Sequence, residues 1–200
     1  MNQTYTFSFT ATSLRLNEMI RVAKSTVENK EIDYAIEIGN GKEATGKRIL
    51  SEIRKRITQL THDQLKILAN GDYTNQIHIA FLAVCKTYGF IRDFVIEVLR
   101  ENLLVFDYQI SEGEYITFYR KKAELYPTME SLTEVTQKKV RQVVFTILEQ
   151  AGIIDSTKNK MIQPQILEPL VIRSIVEDDA QWLKVFLIND IEITNIKAAL

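Results

Sequence analysis

Residues Ser131 to Gln163 read SLTEVTQKKVRQVVFTILEQAGIIDSTKNKMIQ, and the fold expected of the chain hangs on this stretch. Val140, Val143, Val144, Ile147, Leu148 and Ala151 recur at helical spacing and form one apolar stripe. Thr133 or Thr136 suits the helix start, because a side-chain hydroxyl accepts from the free N–H groups of the first turn. Gly152 follows the last apolar turn, where a left-handed residue commonly ends a helix. Ile153-Ile154, the polar turn Asp155-Ser156-Thr157-Lys158-Asn159 and Met161-Ile162 then predict a short β-hairpin. A helix, a second amphipathic helix with cations near its start, and a small hairpin make the layout of a winged helix-turn-helix. Lys138, Lys139, Arg141 and Gln142 fall off the apolar stripe, and Lys158 and Lys160 sit in the wing. Such a helix fits the major groove of B-DNA while a cationic wing reaches the neighbouring backbone. The plainer reading is an amphipathic helix capped by a hairpin, its lysines serving only solubility.

The rest of the chain is read around that lobe. Its 200 residues suit one domain or two small ones, and 46% apolar residues are enough for a sizeable core. Only 7 glycines and 3 prolines disfavour a β-sandwich, a glycine-rich phosphate loop or a disordered chain, and favour helices. The net charge of −1 gives no global pull toward nucleic acid, so any such affinity must come from local patches. Cys85, the single cysteine, excludes an intramolecular disulfide, lies in an apolar run and reads as a small buried side chain. With no basic start leading into an apolar stretch, and no run near the about 18 apolar residues a bilayer needs, a soluble, cytoplasmic protein with no membrane contact is expected.

Met1 to Thr12 alternate loosely, with Tyr5, Phe7 and Phe9 on one side. That predicts a short strand or an extended arm, docked on the body or on a partner because three exposed aromatics would make an apolar patch. A first helix is expected from Ser13 through Val27, and a short one over Glu31 to Ile38, broken by Gly39-Asn40-Gly41. Thr45 to Leu60 puts Ile49, Leu50, Ile53, Ile57 and Leu60 on one face and Lys47, Arg48, Arg54 and Lys55 on the other, with Arg56 on the rim. Six cations against two anions between Lys42 and Arg56 make this a second candidate phosphate-binding surface. The same face also reads as a solvated one, with Glu52 pairing to Arg48 or Arg56.

Thr61 and Gln64 form a capping box for a helix ending near Asn70-Gly71. Asp72 caps the next helix, apolar almost all round from Ile77 to Cys85 and therefore central. Phe90 to Leu104 is a further helix. Ser111 and Glu114 form another capping box, opening a helix that ends before Pro127 and carries Arg120-Lys121-Lys122. It would be the first helix of the helix-turn-helix. A boundary between an N-terminal helical domain, residues 1–108, and a C-terminal winged-helix-like domain, residues 109–200, is placed near Phe106 to Ser111. Leu170 to Val176 and Ala180 to Ile188 read as two short apolar helices, with Trp182 in the core. From Ile166 to Leu200 three cations face six anions, which makes that tail an unsuitable DNA surface.

Catalytic constellations are missing: the chain has no Walker loop, GxSxG, HExxH or CxxC, and His62 and His78 stand alone without ligand-like neighbours. Asp93 and Glu97, at i and i+4, read as solvated surface rather than a metal pair. A non-enzyme without metal or cofactor is expected.

Several pieces, in order, resemble the BrxA family of bacteriophage exclusion (BREX) defence systems. They are Tyr5-Thr6-Phe7-Ser8-Phe9-Thr10, Arg48-Ile49-Leu50-Ser51-Glu52-Ile53-Arg54-Lys55-Arg56 and Val98-Leu99-Arg100-Glu101. Lys138-Lys139-Val140-Arg141-Gln142-Val143 and Glu149-Gln150-Ala151-Gly152 complete the set. The resemblance runs over nearly the whole chain, and its specificity lies in the ordered set rather than in any one piece. It implies an all-helical, nucleic-acid-binding accessory protein of a multi-gene antiphage cluster. The likeness drawn between that family and the NusB antitermination fold implies RNA instead, and an inner-membrane placement sometimes given to it conflicts with the missing apolar span. The leading expectation is duplex-DNA binding through Lys47, Arg48, Arg54, Lys55, Lys138, Lys139, Arg141, Gln142, Lys158 and Lys160. The alternatives are an adaptor docking other BREX proteins through the arm and the acidic tail, and an RNA-binding helical body.

Overall fold

A computed structural model describes residues 5–200; the first part of the expected arm, residues 1–4, lies outside the described residues. The architecture is all-α. Among the described residues there is no strand, only the isolated antiparallel bridges Gln109↔Met161 and Ile154↔Ile162.

The centre is helix α5 (Tyr73–Thr87), capped by the Asp72 carboxylate on the Asn75 N–H. Every residue from Ile79 to Cys85 is fully buried, as its unbroken apolar character demands. Around it lie α1 (Leu16–Val27), the single turn α2 (Tyr34–Glu37), α3 (Glu43–Ile57) and α4 (His62–Asn70). Both partners of the expected capping box, Thr61 and Gln64, are engaged, and Gln64 also donates from Nε2 to the Ser174 carbonyl at 2.9 Å. α2 rests on α3 at Gly46, where a Cβ would sit 2.1 Å from the Tyr34 carbonyl oxygen.

The helix expected over Phe90 to Leu104 is one continuous rod: α6 (Gly89–Phe94), a π-helical segment (Val95–Arg100) and α7 (Glu101–Leu104). Arg100, at the end of the π segment, is buried, donating from Nε to the Ile188 carbonyl at 2.8 Å and from Nη2 to Asp190 at 2.7 Å. Then come α8 (Glu112–Leu125) behind its Ser111–Glu114 capping box, the turn α9 (Pro127–Glu130) and α10 (Glu134–Gln150), capped by Thr133. All six residues of the apolar stripe on α10 are buried, and Gly152 takes the left-handed conformation at φ 69°. α11 (Pro169–Asp179), a 3₁₀ segment (Ala180–Phe186) and α12 (Asp190–Ala199) complete the chain; α12 was not foreseen.

Packing crosses the position where the sequence suggested a division. α11 lies against α4 and α5, the 3₁₀ segment against the π segment and α5, and the arm against both α3 and α10.

The fold decides four local expectations. Over its described residues the arm is not a strand: Ser8–Ala11 is a 3₁₀ turn, with Tyr5 and Phe9 buried and Phe7 half-buried in an aromatic cluster with Tyr88, Phe90 and Tyr126. It does dock on the body, as its aromatics require. Arg56 is on no rim; it is fully buried. Asp93 and Glu97 are not idle surface, since both receive the ammonium of buried Lys122, and Asp93 also accepts from the Tyr5 hydroxyl at 2.6 Å. Trp182 is half-buried at the edge of the core, under the ammonium of Lys86.

Candidate nucleic-acid interface

The first basic set is carried by α3. Burying Ile49, Leu50, Ile53 and Ile57 turns Lys47, Arg48, Arg54 and Lys55 to solvent, and all four are exposed and form no ion pair among the described residues. Glu52 does not neutralise them. It accepts from Ser8 Oγ at 2.9 Å and from the Tyr88 hydroxyl, so neither of the pairings open to it in the sequence forms. Lys55 donates to Ser8 Oγ at 3.1 Å and lies 5.4 Å from the Tyr88 ring centre. Arg56 leaves the set: its guanidinium donates to the carbonyls of Thr12, Ser13 and Leu14, to Thr12 Oγ1 and to the Tyr88 hydroxyl. Helical spacing could not separate rim from interior here, because the arm that covers Arg56 is distant in sequence.

The second set stands on α10 and the loop after it. Lys138, Lys139, Gln142 and Lys158 are exposed, and the three lysines form no ion pair among the described residues. Arg141 and Lys160 are half-buried and share one counter-ion: Arg141 pairs with Glu112 on the first turn of α8, and Lys160 lies 3.6 Å from the same carboxylate. Lys160 also sits 5.1 Å from the centre of the Phe145 ring, and Phe145 is buried against Phe94 and Tyr115. The loop is closed by Asp155, whose side chain accepts from the Ser156 and Met161 N–H groups and from Asn159 Nδ2; its carboxyl is held below the usual range by those bonds, that from Met161 foremost.

The two sets border different hollows. Lys47 and Arg54 flank one of about 540 Å³ with Tyr34 and Leu50. Lys138 and Arg141 flank a cleft of about 400 Å³ between α8 and α10, whose other wall holds Tyr115, Ile116, Tyr119 and Arg120. Glu112, Tyr115 and Arg120 were not among the sequence candidates. Arg120 stood in a visible basic run, but so did Lys122, which the fold buries; only the packing of α8 on the π segment sorts one from the other. Among the described residues no group of three His, Cys, Asp or Glu side chains could hold a metal ion, and no helix is long and apolar enough to cross a membrane.

The fold and its surface define an all-helical protein with two separate cation-bearing helix faces and an otherwise acidic C-terminal stretch. The chain belongs to the BrxA family, whose profile matches residues 3–179. It is 22% identical over 125 residues to a BREX protein BrxA of Escherichia coli O9:H4 (strain HS), covering 62% of this chain and 59% of that protein. It is 24% identical over 135 residues to a BREX protein BrxA of Bacillus cereus (strain H3081.97), covering 68% and 66%. The matches thus span about three fifths to two thirds of these relatives' length. The fold is shared with the crystal structure of an uncharacterized protein from Magnetospirillum magneticum, at TM-score 0.79 and 21% identity over 92% of this chain and 98% of the other.

Proposed function

We propose that this protein is a non-catalytic component of a BREX antiphage defence system that binds duplex DNA, mostly through phosphate contacts. The BREX setting is supported by family membership and by the names of the two relatives. The observation that carries the DNA reading is the first half of α10: Lys138 and Lys139 are exposed and unpaired one turn beyond the Thr133 cap, directly after the α8–α9 turn. The antiparallel bridge Ile154↔Ile162, with Lys158 and Lys160 between its ends, supports reading α8, α9, α10 and this loop as a winged helix-turn-helix. The exposed cations of α3 then add backbone contacts. A role in docking other BREX proteins is the second reading, favoured by the exposed apolar residues Val105, Phe106 and Ile191.

The test is a gel-shift or anisotropy titration with duplex DNA at two salt concentrations. Each neutralised phosphate releases counterions, so five to seven engaged cations predict a fall of roughly a thousandfold between 50 and 200 mM salt. Lys138→Glu with Arg141→Glu is expected to abolish binding in a folded protein, while Arg54→Glu with Lys55→Glu weakens it and flattens the salt slope by about one unit per lost contact. The opposite pattern would move the reader to α3. Salt-insensitive binding would refute phosphate contacts altogether.

A further inference from the structure

The cleft between α8 and α10 has a makeup that backbone contact with a duplex does not need. Its floor and one wall are aromatic and aliphatic: Tyr115, the half-buried Tyr119, and Ile116, which is 38% exposed. Cations border it from both helices, Arg120 from α8 and Lys138 from α10, and Gln137 also lines it, its amide donating to the Leu132 carbonyl at 2.9 Å. The Arg141–Glu112 ion pair ties the two walls together. Tyr115 is 4% exposed, and its hydroxyl is buried without any hydrogen-bond partner. A buried hydroxyl left open is uncommon in a folded protein. Its volume of about 400 Å³ lies within the range of small-ligand sites, and apolar walls with a few convergent polar groups are their usual composition.

We propose that this cleft holds one unpaired nucleotide, its ring against Tyr119 and Ile116 and its phosphate between Arg120 and Lys138. The inference rests on the nucleic-acid reading of α10 and extends it from duplex backbone to strand ends, flaps or gaps. Aromatic faces accept any base, so the site carries little sequence preference. Glu134, one turn before Lys138 on α10, is the one carboxylate in the lining, and three cations outnumber it there: Arg120, Lys138 and Arg141. Burial pushes the Tyr115 phenol up, so it stays protonated and adds no negative charge beside the phosphate.

The test compares a short blunt duplex with the same duplex carrying a three-nucleotide unpaired end, by fluorescence anisotropy at one ionic strength. The unpaired end is expected to tighten binding about tenfold, within what stacking one base on an aromatic ring supplies. Ile116→Glu and Arg120→Ala should each remove that gain. Tyr115→Phe, which keeps the ring and removes a hydroxyl closed off from the cleft, should leave the gain in place and serves as the control. Blunt duplex binding with no gain from the unpaired end overturns the cleft proposal and leaves the duplex reading standing; no binding of either overturns both. A nucleoside monophosphate added as competitor separates the sources. If it cancels the gain, the cleft takes free nucleotides as well; a gain that survives it assigns the cleft to strand ends.

Discussion

Replacing Arg56 by methionine removes the largest fully buried side chain among the described residues, and a polar one. Arg56 is 0% exposed and its guanidinium makes five hydrogen bonds, at 2.7 to 3.2 Å, to three carbonyls and a hydroxyl of residues 12–14 and to Tyr88. Methionine is close in length and apolar, so the change leaves little cavity but strands those acceptors in the interior. Each buried acceptor that loses its partner costs about 1–3 kcal/mol. Water can reach some of the arm once it loosens, so the sum is less than five such losses. About 3–5 kcal/mol is expected, the range seen when one partner of a buried charged network is removed. For a chain of this size that lowers Tm by roughly 6–20 °C. Thermal and urea denaturation followed by circular dichroism measures it, and Arg56→Lys, which keeps the charge and part of the donor set, should fall between parent and Arg56→Met. The arm should loosen first, giving faster hydrogen exchange at residues 9–14 than in α5. A loss below about 1 kcal/mol would refute the view that Arg56 pins the arm and would return it to the basic surface.

The remaining predictions follow from single contacts. Gly46→Ala, which in an open helix would stabilise by up to about 1 kcal/mol, should instead destabilise, because the new Cβ meets the Tyr34 carbonyl; a raised Tm would mean that α2 does not sit on α3. Cys85→Ser should cost roughly 1–3 kcal/mol in denaturant titrations by placing a hydroxyl in a fully buried site, while duplex binding by the folded variant stays at the parental level. Burial holds the His78 pKa below its ordinary value of 6.5. The unfolded chain therefore takes up this proton first, and stability should decline as pH falls below about 6.5, through the interval down to the depressed folded value. His78→Gln should flatten that decline, and an unchanged stability–pH curve between pH 7 and 5 would contradict the burial of this imidazole.

Much of the architecture was legible because its causes are local. The stripe from Val140 to Ala151, the capping residues Asp72, Thr61 with Gln64, and Ser111 with Glu114, and the left-handed Gly152 act within one or two turns of chain, so spacing alone placed α4, α5, α8 and α10. The exposure of Lys47, Arg48, Arg54 and Lys55 followed in the same way from the apolar face opposite them. What pairs with what was not legible, because it depends on segments that meet only in the folded chain. Arg56 and Lys122 look like any surface cation until the arm covers one and the carboxylates of Asp93 and Glu97 receive the other. The candidate interface shows the same limit: the sequence supplied its cations, but only the tertiary fold set Glu112 beside Arg141 and Lys160 and opened a cleft under Arg120 and Lys138. Helix formation and amphipathicity are governed by neighbours three and four residues away, whereas charge pairing and burial are settled by neighbours brought together across tens of residues.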